Sequence, residues 1–366
     1  MHRASVGIVG CGAISAIYFQ RCAQFRNLRV VACADLAPER ALDRAREFRV
    51  PKAVSVDDLL ADPDIEIVLN LTVPKAHADV NLRAIDAGKH VYSEKPLATS
   101  RADGRRTIEA ARARGVRVGS APDTFLGAGI QTCIKAIDDG AIGWPLGATA
   151  FMLCHGHESW HPSPEFYYEV GGGPMLDMGP YYLTALVSML GPVEAVSASA
   201  RTTFPERTIT SQPKAGKVVT VETPTHIAGV LDFASGAVGT IVTSFDVWAA
   251  NVPCLEVYGT EGTISCPDPN SFGGTVRVRR PGDSAWREAI HAHGFGDNYR
   301  GVGVADMAAG IAAGRSHRAS GDLALHVLDI MDGFLDSARE GRRWAMETTV
   351  ERPAPLPVGL PADSVD

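Results

Sequence analysis

The sequence predicts a chain in two parts. Residues 1–122 read as a doubly wound α/β domain of the Rossmann type, and residues 123–366 as an α+β domain built on a large, mostly antiparallel open sheet. Three observations predict this. Residues 6–15 read as strand, glycine turn and helix start; strand and helix patterns alternate up to residue 122; and past residue 193 short β segments follow one another between turn pairs. A chain of 366 residues, 45% hydrophobic, has material for two cores, since domains commonly run about 100–200 residues.

The stretch Val6-Gly7-Ile8-Val9-Gly10-Cys11-Gly12-Ala13-Ile14-Ser15 sets an apolar run before two glycines and a helix-compatible segment. This arrangement aims backbone N–H groups at a phosphate. Gly10 and Gly12 allow a sharp turn and a close approach to a pyrophosphate that a side chain would block. Ser15 stands at the third position of the glycine pattern, small but not standard. A second apolar run, Leu28 to Ala34, ends in Asp35. A carboxylate about 20 residues past the glycines is the acceptor for the adenosine ribose hydroxyls in this fold. It repels a 2′-phosphate, so the cofactor predicted is NAD rather than NADP. Arg40 is the residue that would soften that preference by reaching a phosphate. Asp35 also reads as a helix N-cap before Pro38, and the two roles are compatible.

After Asp35, Pro38 to Phe48 has a helical pattern, with the proline in the first turn. Asp57 to Ala61 reads as a short helix, Ile65 to Leu71 as a buried strand, and Ala76 to Ala87 as a helix closed by Gly88. His90 to Ser93 is a strand, Arg101 to Arg114 a helix stopped by Gly115, and Val116 to Gly119 a last strand. Strand carboxyl ends are where such sheets bind ligands. The first polar strand end, Asn70 to His77, offers Leu71, Thr72 and His77 to a cofactor, although His77 also reads as an exposed residue of a helix first turn. The second, Ser93-Glu94-Lys95-Pro96, offers Glu94 and Lys95. Gly10, Gly12, Ala13, Ile14, Asp35 and Arg40 complete the candidate cofactor-binding residues. A lysine beside an oxidised nicotinamide sits among positive charge, which favours its neutral form; by spacing alone Lys95 reads as a surface charge.

In the second part, Gly129 to Asp139 is helix-like and Pro145 to Leu153 a strand. The β segments are Val193 to Phe204, Thr225 to Phe233, Ala237 to Phe245, Cys254 to Tyr258, Thr263 to Cys266 and Thr275 to Arg279; helical patterns return at Gly303 to Ala313 and Asp322 to Arg339. Several strands alternate apolar and polar residues, the pattern of an antiparallel sheet with unequal faces. Asp177 and Tyr181, spaced i, i+4, share one face of a helix beginning near Asp177, with Pro180 suited to its first turn. Between strand and helix, Cys154 to Tyr168 reads as a loop over the cleft. Its aromatic faces suit an apolar C–H face and its polar groups suit hydroxyls, with Trp160, His161 and Tyr168 as candidate substrate contacts. Its three histidines match no standard zinc spacing, and no metal is predicted.

The net charge of -7, with no basic cluster, argues against nucleic acid. No apolar run approaches the roughly 20 residues that span a bilayer, and the first residues do not resemble a signal peptide. Seven scattered cysteines, none in C-x-x-C, read as reduced small hydrophobes, which predicts a cytoplasmic protein.

Taken together, four motifs resemble the family of glucose-fructose oxidoreductase, inositol dehydrogenase and the rhizopine-catabolism proteins (Gfo/Idh/MocA). They are the glycine turn Gly10 to Ser15, the strand end Asn70 to His77, the triplet Glu94-Lys95-Pro96, and Gly171-Gly172-Gly173-Pro174-Met175-Leu176-Asp177-Met178-Gly179-Pro180-Tyr181. The resemblance spans nearly the whole chain. It implies an NAD(P)-dependent dehydrogenase acting on a secondary alcohol or ketone of a sugar, cyclic polyol or glycoside. It places Lys95 near the substrate hydroxyl, with Asp177 and Tyr181 lining the same pocket. Many members carry histidine where Tyr181 stands. A tyrosine with an ordinary pKa near 10 needs a nearby cation to serve as a base, and Lys95 and the nicotinamide would provide it. Lys95 and Tyr181 thus form the expected acid–base pair, with Asp177 orienting. The family also implies a homodimer or homotetramer through the outer face of the large sheet. The alternative function is a non-catalytic, cofactor-binding sugar sensor, since the fold also serves a repressor.

Overall fold

The computed structural model describes residues 3–366; Met1 and His2, which the sequence reading includes in the first domain, lie outside the described residues. The first part runs β1 (Ala4–Val9), α1 (Ser15–Cys22), β2 (Leu28–Ala34), α2 (Pro38–Phe48), β3 (Lys52–Ala53), α3 (Val56–Ala61), β4 (Ile67–Asn70), α4 (His77–Asp86), β5 (His90–Ser93), α5 (Arg101–Arg114) and β6 (Val118–Ser120). The strands pair in parallel in the order β3-β2-β1-β4-β5-β6. Strand order reverses between β1 and β4, so the ligand crevice opens at their carboxyl ends. β1 and β4 are buried on both faces, which is why they read as unbroken apolar runs.

The second part runs α6 (Ala128–Asp138), β7 (Pro145–Leu153), α7 (Gly173–Leu190), β8 (Val193–Arg201), β9 (Glu206–Thr208), β10 (Val218–Thr220), β11 (His226–Phe233), β12 (Val238–Ser244), β13 (Leu255–Gly259), β14 (Gly262–Ser265), β15 (Arg277–Arg279), β16 (Arg287–Glu288), α8 (Val302–Ala313), α9 (Gly321–Glu340) and β17 (Trp344–Ala345). Nine strands form one open sheet, ordered β16-β15-β14-β13-β7-β12-β11-β8-β17. Only β7 and β12 run parallel; every other neighbouring pair is antiparallel. β9 and β10 form a separate hairpin. α7 and α9 cover one face of the large sheet. α8 packs on α1 and β6, and α9 on α5 and β6, so the end of the chain returns to the first sheet.

One helix start differs from the sequence reading. α7 begins at Gly173, not near Asp177, with Pro174 in its first turn and Pro180 in its interior. Gly173, at φ +85, makes the entry that a side chain would strain, and Pro174 supplies the preset φ of a first helical residue. Asp177 and Tyr181 still share a face. The short β3 and the β9–β10 hairpin fall outside the predicted elements, because runs of two or three residues carry no periodicity to read.

Candidate active site

The glycine turn sits at the switch point as its residues require. Gly10 has φ +100, and a Cβ there would lie 2.6 Å from the carbonyl carbon and oxygen of Leu71. The two strand ends therefore touch backbone to backbone. A Cβ on Gly12 would meet nothing within 4 Å, so the turn keeps an open cradle in front of it. α1 has no side-chain cap and no acidic residue in its first turn, which leaves its first N–H groups to a ligand. Ser15 is fully buried and its Oγ donates to the Gly12 carbonyl at 2.7 Å, closing the turn. Asp35 accepts from the Cys11 N–H at 2.7 Å and from the Ala37 N–H at 2.9 Å. It braces the turn and the entry to α2 together, and keeps unused acceptor positions. These features fit a dinucleotide: Gly12, Ala13 and Ile14 at the pyrophosphate, and Asp35 at the ribose. Arg40 is exposed on α2, whereas Arg44, one turn on, reaches the Gly12 carbonyl at 3.4 Å.

Beyond the turn lies a cavity of about 290 Å³ lined by Ile14, Thr72, Glu94, Lys95, Tyr167, Asp177 and Tyr181, with Pro74, Phe166, Gly171, Gly172 and Leu176 among its other walls. Residues from both parts of the chain thus face one space. Asn70 orders the first strand end: its Oδ1 accepts from the Thr72 hydroxyl at 2.6 Å and its Nδ2 donates to Asn81 Oδ1 at 2.8 Å. Glu94 accepts from the Tyr18 hydroxyl at 2.8 Å and from the Lys95 N–H at 2.9 Å.

Lys95 donates to Asp177 Oδ1 and to the Asp177 carbonyl, both at 2.7 Å. Pro180, lacking an N–H, leaves the carbonyl of Leu176, the residue before Asp177, without its helical donor. Burial alone would discharge Lys95, but the carboxylate of Asp177, with Tyr181 and Glu94, holds its pKa above the ordinary lysine value. The nearest full charge to Lys95 within the chain is negative. Burial works against Asp177 as well, yet the charge of Lys95 and hydrogen bonds from His157 and Lys95 bring it down to about 2. Burial raises the Tyr181 phenol, and Lys95 and Arg300 pull it back. The Lys95 ammonium stands 5.2 Å from the Tyr181 ring centroid.

Four further candidates lie elsewhere than the sequence suggests. His77 is 1% exposed, and its ring nitrogens face the carbonyls of Pro96 at 2.7 Å and Thr72 at 2.9 Å. It ties the two strand ends together instead of presenting a ring to the cofactor. Tyr168 is fully buried, with its hydroxyl bonded to Glu158 and accepting from the His157 N–H, so it braces the loop and does not line the cavity. Its neighbours Phe166 and Tyr167 do. Trp160, 61% exposed, and His161 form a layer outside, their rings edge-on to His157 at 5.1 Å and to Tyr167 at 5.4 Å.

Two residues of the site escape sequence reasoning. His157 Nε2 lies 3.3 Å from Asp177 Oδ2, opposite Lys95, and the charge of Arg300 lowers the Tyr181 phenol against burial. His157 lies in the stretch flagged as a substrate loop, but nothing in its spacing pairs it with Asp177. Arg300 carries no motif. The loop itself is pinned by Arg207, which is buried between Glu158, at 2.7 Å, and Asp246. All seven cysteines are free. Among the described residues no cluster of His, Cys, Asp or Glu could hold a metal ion, and no helix is long and apolar enough to cross a membrane.

Comparison with known proteins agrees with this geometry. Residues 4–121 match the model of an oxidoreductase family with an NAD-binding Rossmann fold, and residues 130–265 match the GFO/IDH/MocA C-terminal domain. The chain is 28% identical over 281 residues to 1,5-anhydro-D-fructose reductase of Ensifer adhaerens, covering 75% of this chain and 77% of that one. It is 26% identical over 261 residues to myo-inositol 2-dehydrogenase of Thermotoga maritima, covering 71% and 74%. Its fold superposes on levoglucosan dehydrogenase in complex with NADH with a TM-score of 0.81 at 22% identity, covering 95% of this chain and all of that one. The chain belongs to the Gfo/Idh/MocA oxidoreductases and carries their NAD-binding Rossmann domain.

Proposed function

We propose that this protein is an NAD-dependent dehydrogenase for a secondary alcohol of a sugar, cyclic polyol or glycoside, with Tyr181 exchanging the hydroxyl proton and Lys95 holding the substrate oxygen. The observation that carries this reading is the cavity in which Lys95, Asp177 and Tyr181 face the glycine turn through Ile14 and Thr72. The nicotinamide, when bound, supplies the hydride acceptor for oxidation or the donor for reduction. The relatives named an anhydrofructose reductase and an inositol dehydrogenase support a carbohydrate or cyclic polyol substrate.

The hydrogen-bond geometry supports this division of roles. Two of the three Lys95 ammonium hydrogens are committed to Asp177, leaving one for the cavity. A lysine held charged donates to a substrate oxygen; it does not take a proton from it. Tyr181 is then the proton acceptor in oxidation and the donor in reduction, a role worth about 10²–10⁴-fold in rate. Asp177 orients and charges Lys95, and His157 secures the other carboxylate oxygen. Tyr167 and Phe166 offer ring faces to the C–H face of a sugar. Asp35, anchored at two N–H groups, favours NAD over NADP by repelling a 2′-phosphate. The half-buried outer face of the nine-stranded sheet, with Phe151, Ala228 and Val242, supports assembly as a dimer or tetramer.

The test is the appearance of reduced nicotinamide with purified protein, NAD or NADP, and a panel of aldoses, inositols and glycosides, with Lys95→Ala and Tyr181→Phe alongside. Turnover with NAD on one substrate class, lost in both variants, supports the reading. Turnover that persists in Lys95→Ala would overturn it, as would NAD binding with no turnover on any substrate.

A further inference from the structure

The cavity in front of the glycine turn is small for what it must hold. At about 290 Å³ it lies at the lower end of ligand pockets, which run roughly 300–1,000 Å³, and a nicotinamide, when bound, takes part of that space. A group attached to the reacting ring of a substrate therefore has to leave through the mouth. On the side of the loop of residues 154–168 the wall is aromatic and continues outward. Tyr167 and Phe166 line the cavity, and Phe166 is also partly exposed. His161 packs edge-to-face on both, with ring centroids 5.4 and 5.5 Å apart. Trp160 packs in the same way on His161 at 5.4 Å and on His157 at 5.1 Å. Even with these two contacts Trp160 is 61% exposed and is not a wall of the cavity, so part of its indole stands open one ring beyond it.

The backbone under this outer layer is fastened. The Trp160 and His161 N–H groups donate to the His157 carbonyl at 3.3 and 3.0 Å, and the Ser163 N–H donates to His161 Nδ1 at 3.0 Å. The connection between β9 and β10 holds the same stretch. Its Thr210 and Ser211 N–H groups donate to the Glu158 carbonyl at 2.9 and 3.0 Å, and Ser211 Oγ donates to the His161 carbonyl at 2.5 Å. Lys214 and Lys217 both donate to Glu165 Oε1, at 2.6 and 2.8 Å. A ring fixed in this way meets a ligand without first losing freedom. Each of the two ammonium groups keeps two hydrogens beyond the one given to Glu165, so the residue before Phe166 carries spare donors with it.

We propose that Trp160, with His161 and the outer part of Phe166, forms a second sugar subsite that seats the second pyranose ring of a disaccharide whose first ring reacts in the cavity. The open indole matches the C–H face of a pyranose, and the lysine donors match its hydroxyls. A protein partner would need a far broader apolar area than one indole beside an ion cluster. The proposal narrows the reading of a sugar, cyclic polyol or glycoside substrate and rests on that reading. No bond is made or broken at this subsite, so it acts on KM and leaves kcat unchanged.

The test measures kcat and KM with NAD for matched pairs of a disaccharide and the methyl glycoside of its reacting ring: cellobiose with methyl β-glucoside, maltose with methyl α-glucoside, and lactose with methyl β-galactoside, with myo-inositol alongside. In at least one pair the parent is expected to favour the disaccharide by about tenfold in kcat/KM, the worth of one stacked ring. Trp160→Ala, at an exposed position that the fold does not need, is expected to erase that preference by raising KM for the disaccharide, with kcat and the methyl glycoside within about twofold of the parent. Trp160→Phe keeps part of the preference. Trp144→Ala removes another exposed indole, just before β7 and at the opposite end of that strand from the loop, and is expected to change neither substrate. Turnover of single-ring substrates with no disaccharide preferred overturns the proposal and leaves the dehydrogenase reading standing, as does a preference that survives in Trp160→Ala. No turnover on any of these substrates defeats the dehydrogenase reading itself, and the proposal with it.

Discussion

The ammonium of Lys95 is held twice by Asp177, once at Oδ1 and once at the main-chain carbonyl, both at 2.7 Å. One residue of α7 thereby fixes both the position and the charge of a lysine from the first sheet.

Asp177→Asn keeps the size of the side chain and the main-chain acceptor but removes the charge that outweighs burial of Lys95. Its kcat is expected to fall about 10²-fold or more. NAD affinity by calorimetry is expected to stay at the parental value, because Asp177 comes from α7 and not from the glycine turn or its strand ends. Parental turnover in this variant would remove Asp177 from the acid–base chain.

The two glycines of the turn are expected to fail in different ways. Gly10→Ala places a Cβ 2.6 Å from the Leu71 backbone in a positive-φ conformation and should lower the unfolding temperature or the soluble yield. Gly12→Val points into open space, so the protein should fold as the parent does and lose NAD affinity. Thermal melts and NAD titration separate the two; an unimpaired NAD affinity in folded Gly12→Val would mean that the cradle is not the pyrophosphate site.

Burial raises the Asp123 carboxyl from the ordinary range to about 6, against the Gly301 and Gly303 N–H groups that pull it down. Between about 4, the unfolded value, and 6 the folded state binds the extra proton, so through this group stability falls as pH rises across that window. His317 and His326, which burial lowers to about 4, act in the opposite sense and lose stability as pH falls from about 6.5. Asp123→Asn can satisfy both N–H groups through its amide oxygen without the charge. Relative to the parent it should be neutral near pH 4 and gain about 2–3 kcal/mol by pH 7 in urea unfolding. A difference that does not change with pH would refute the buried charge.

Arg207 joins the β9–β10 hairpin to the loop of residues 154–168 through Glu158 and to the chain after β12 through Asp246, two carboxylates that would lose their countercharge in its absence. Arg207→Met is expected to destabilise the protein by about 3–5 kcal/mol and to raise KM through a loosened loop. Arg207→Met paired with Glu158→Gln and Asp246→Asn should recover much of the stability. If the triple variant unfolds as readily as the single one, the cost lies in packing and not in unpaired charge.

Much of this protein is legible in its sequence because the relevant constraints are local. The turn around Gly10 needs positive φ and backbone contact, the buried β1 and β4 need unbroken apolar runs, and the i, i+4 spacing of Asp177 and Tyr181 puts them on one helical face wherever that helix begins. What escaped was set by contacts between distant segments. His77 looks like a helix-start residue until Pro96 and Thr72 close around its ring. The choice among the adjacent aromatics Phe166, Tyr167 and Tyr168 depends on which way a short irregular turn faces, and Glu158 takes Tyr168 out of the cavity. The sequence by itself carried the strand–helix alternation of the first part and the glycine turn, since periodicity and glycine chemistry act within a few residues; Lys95, Asp177 and Tyr181 came together only through the family resemblance. Only the tertiary structure decided that Lys95 pairs with Asp177, that His157 holds the far side of Asp177 and that Tyr168 turns out of the cavity, because ion pairs and hydrogen-bond partners depend on distances in space that chain order does not encode.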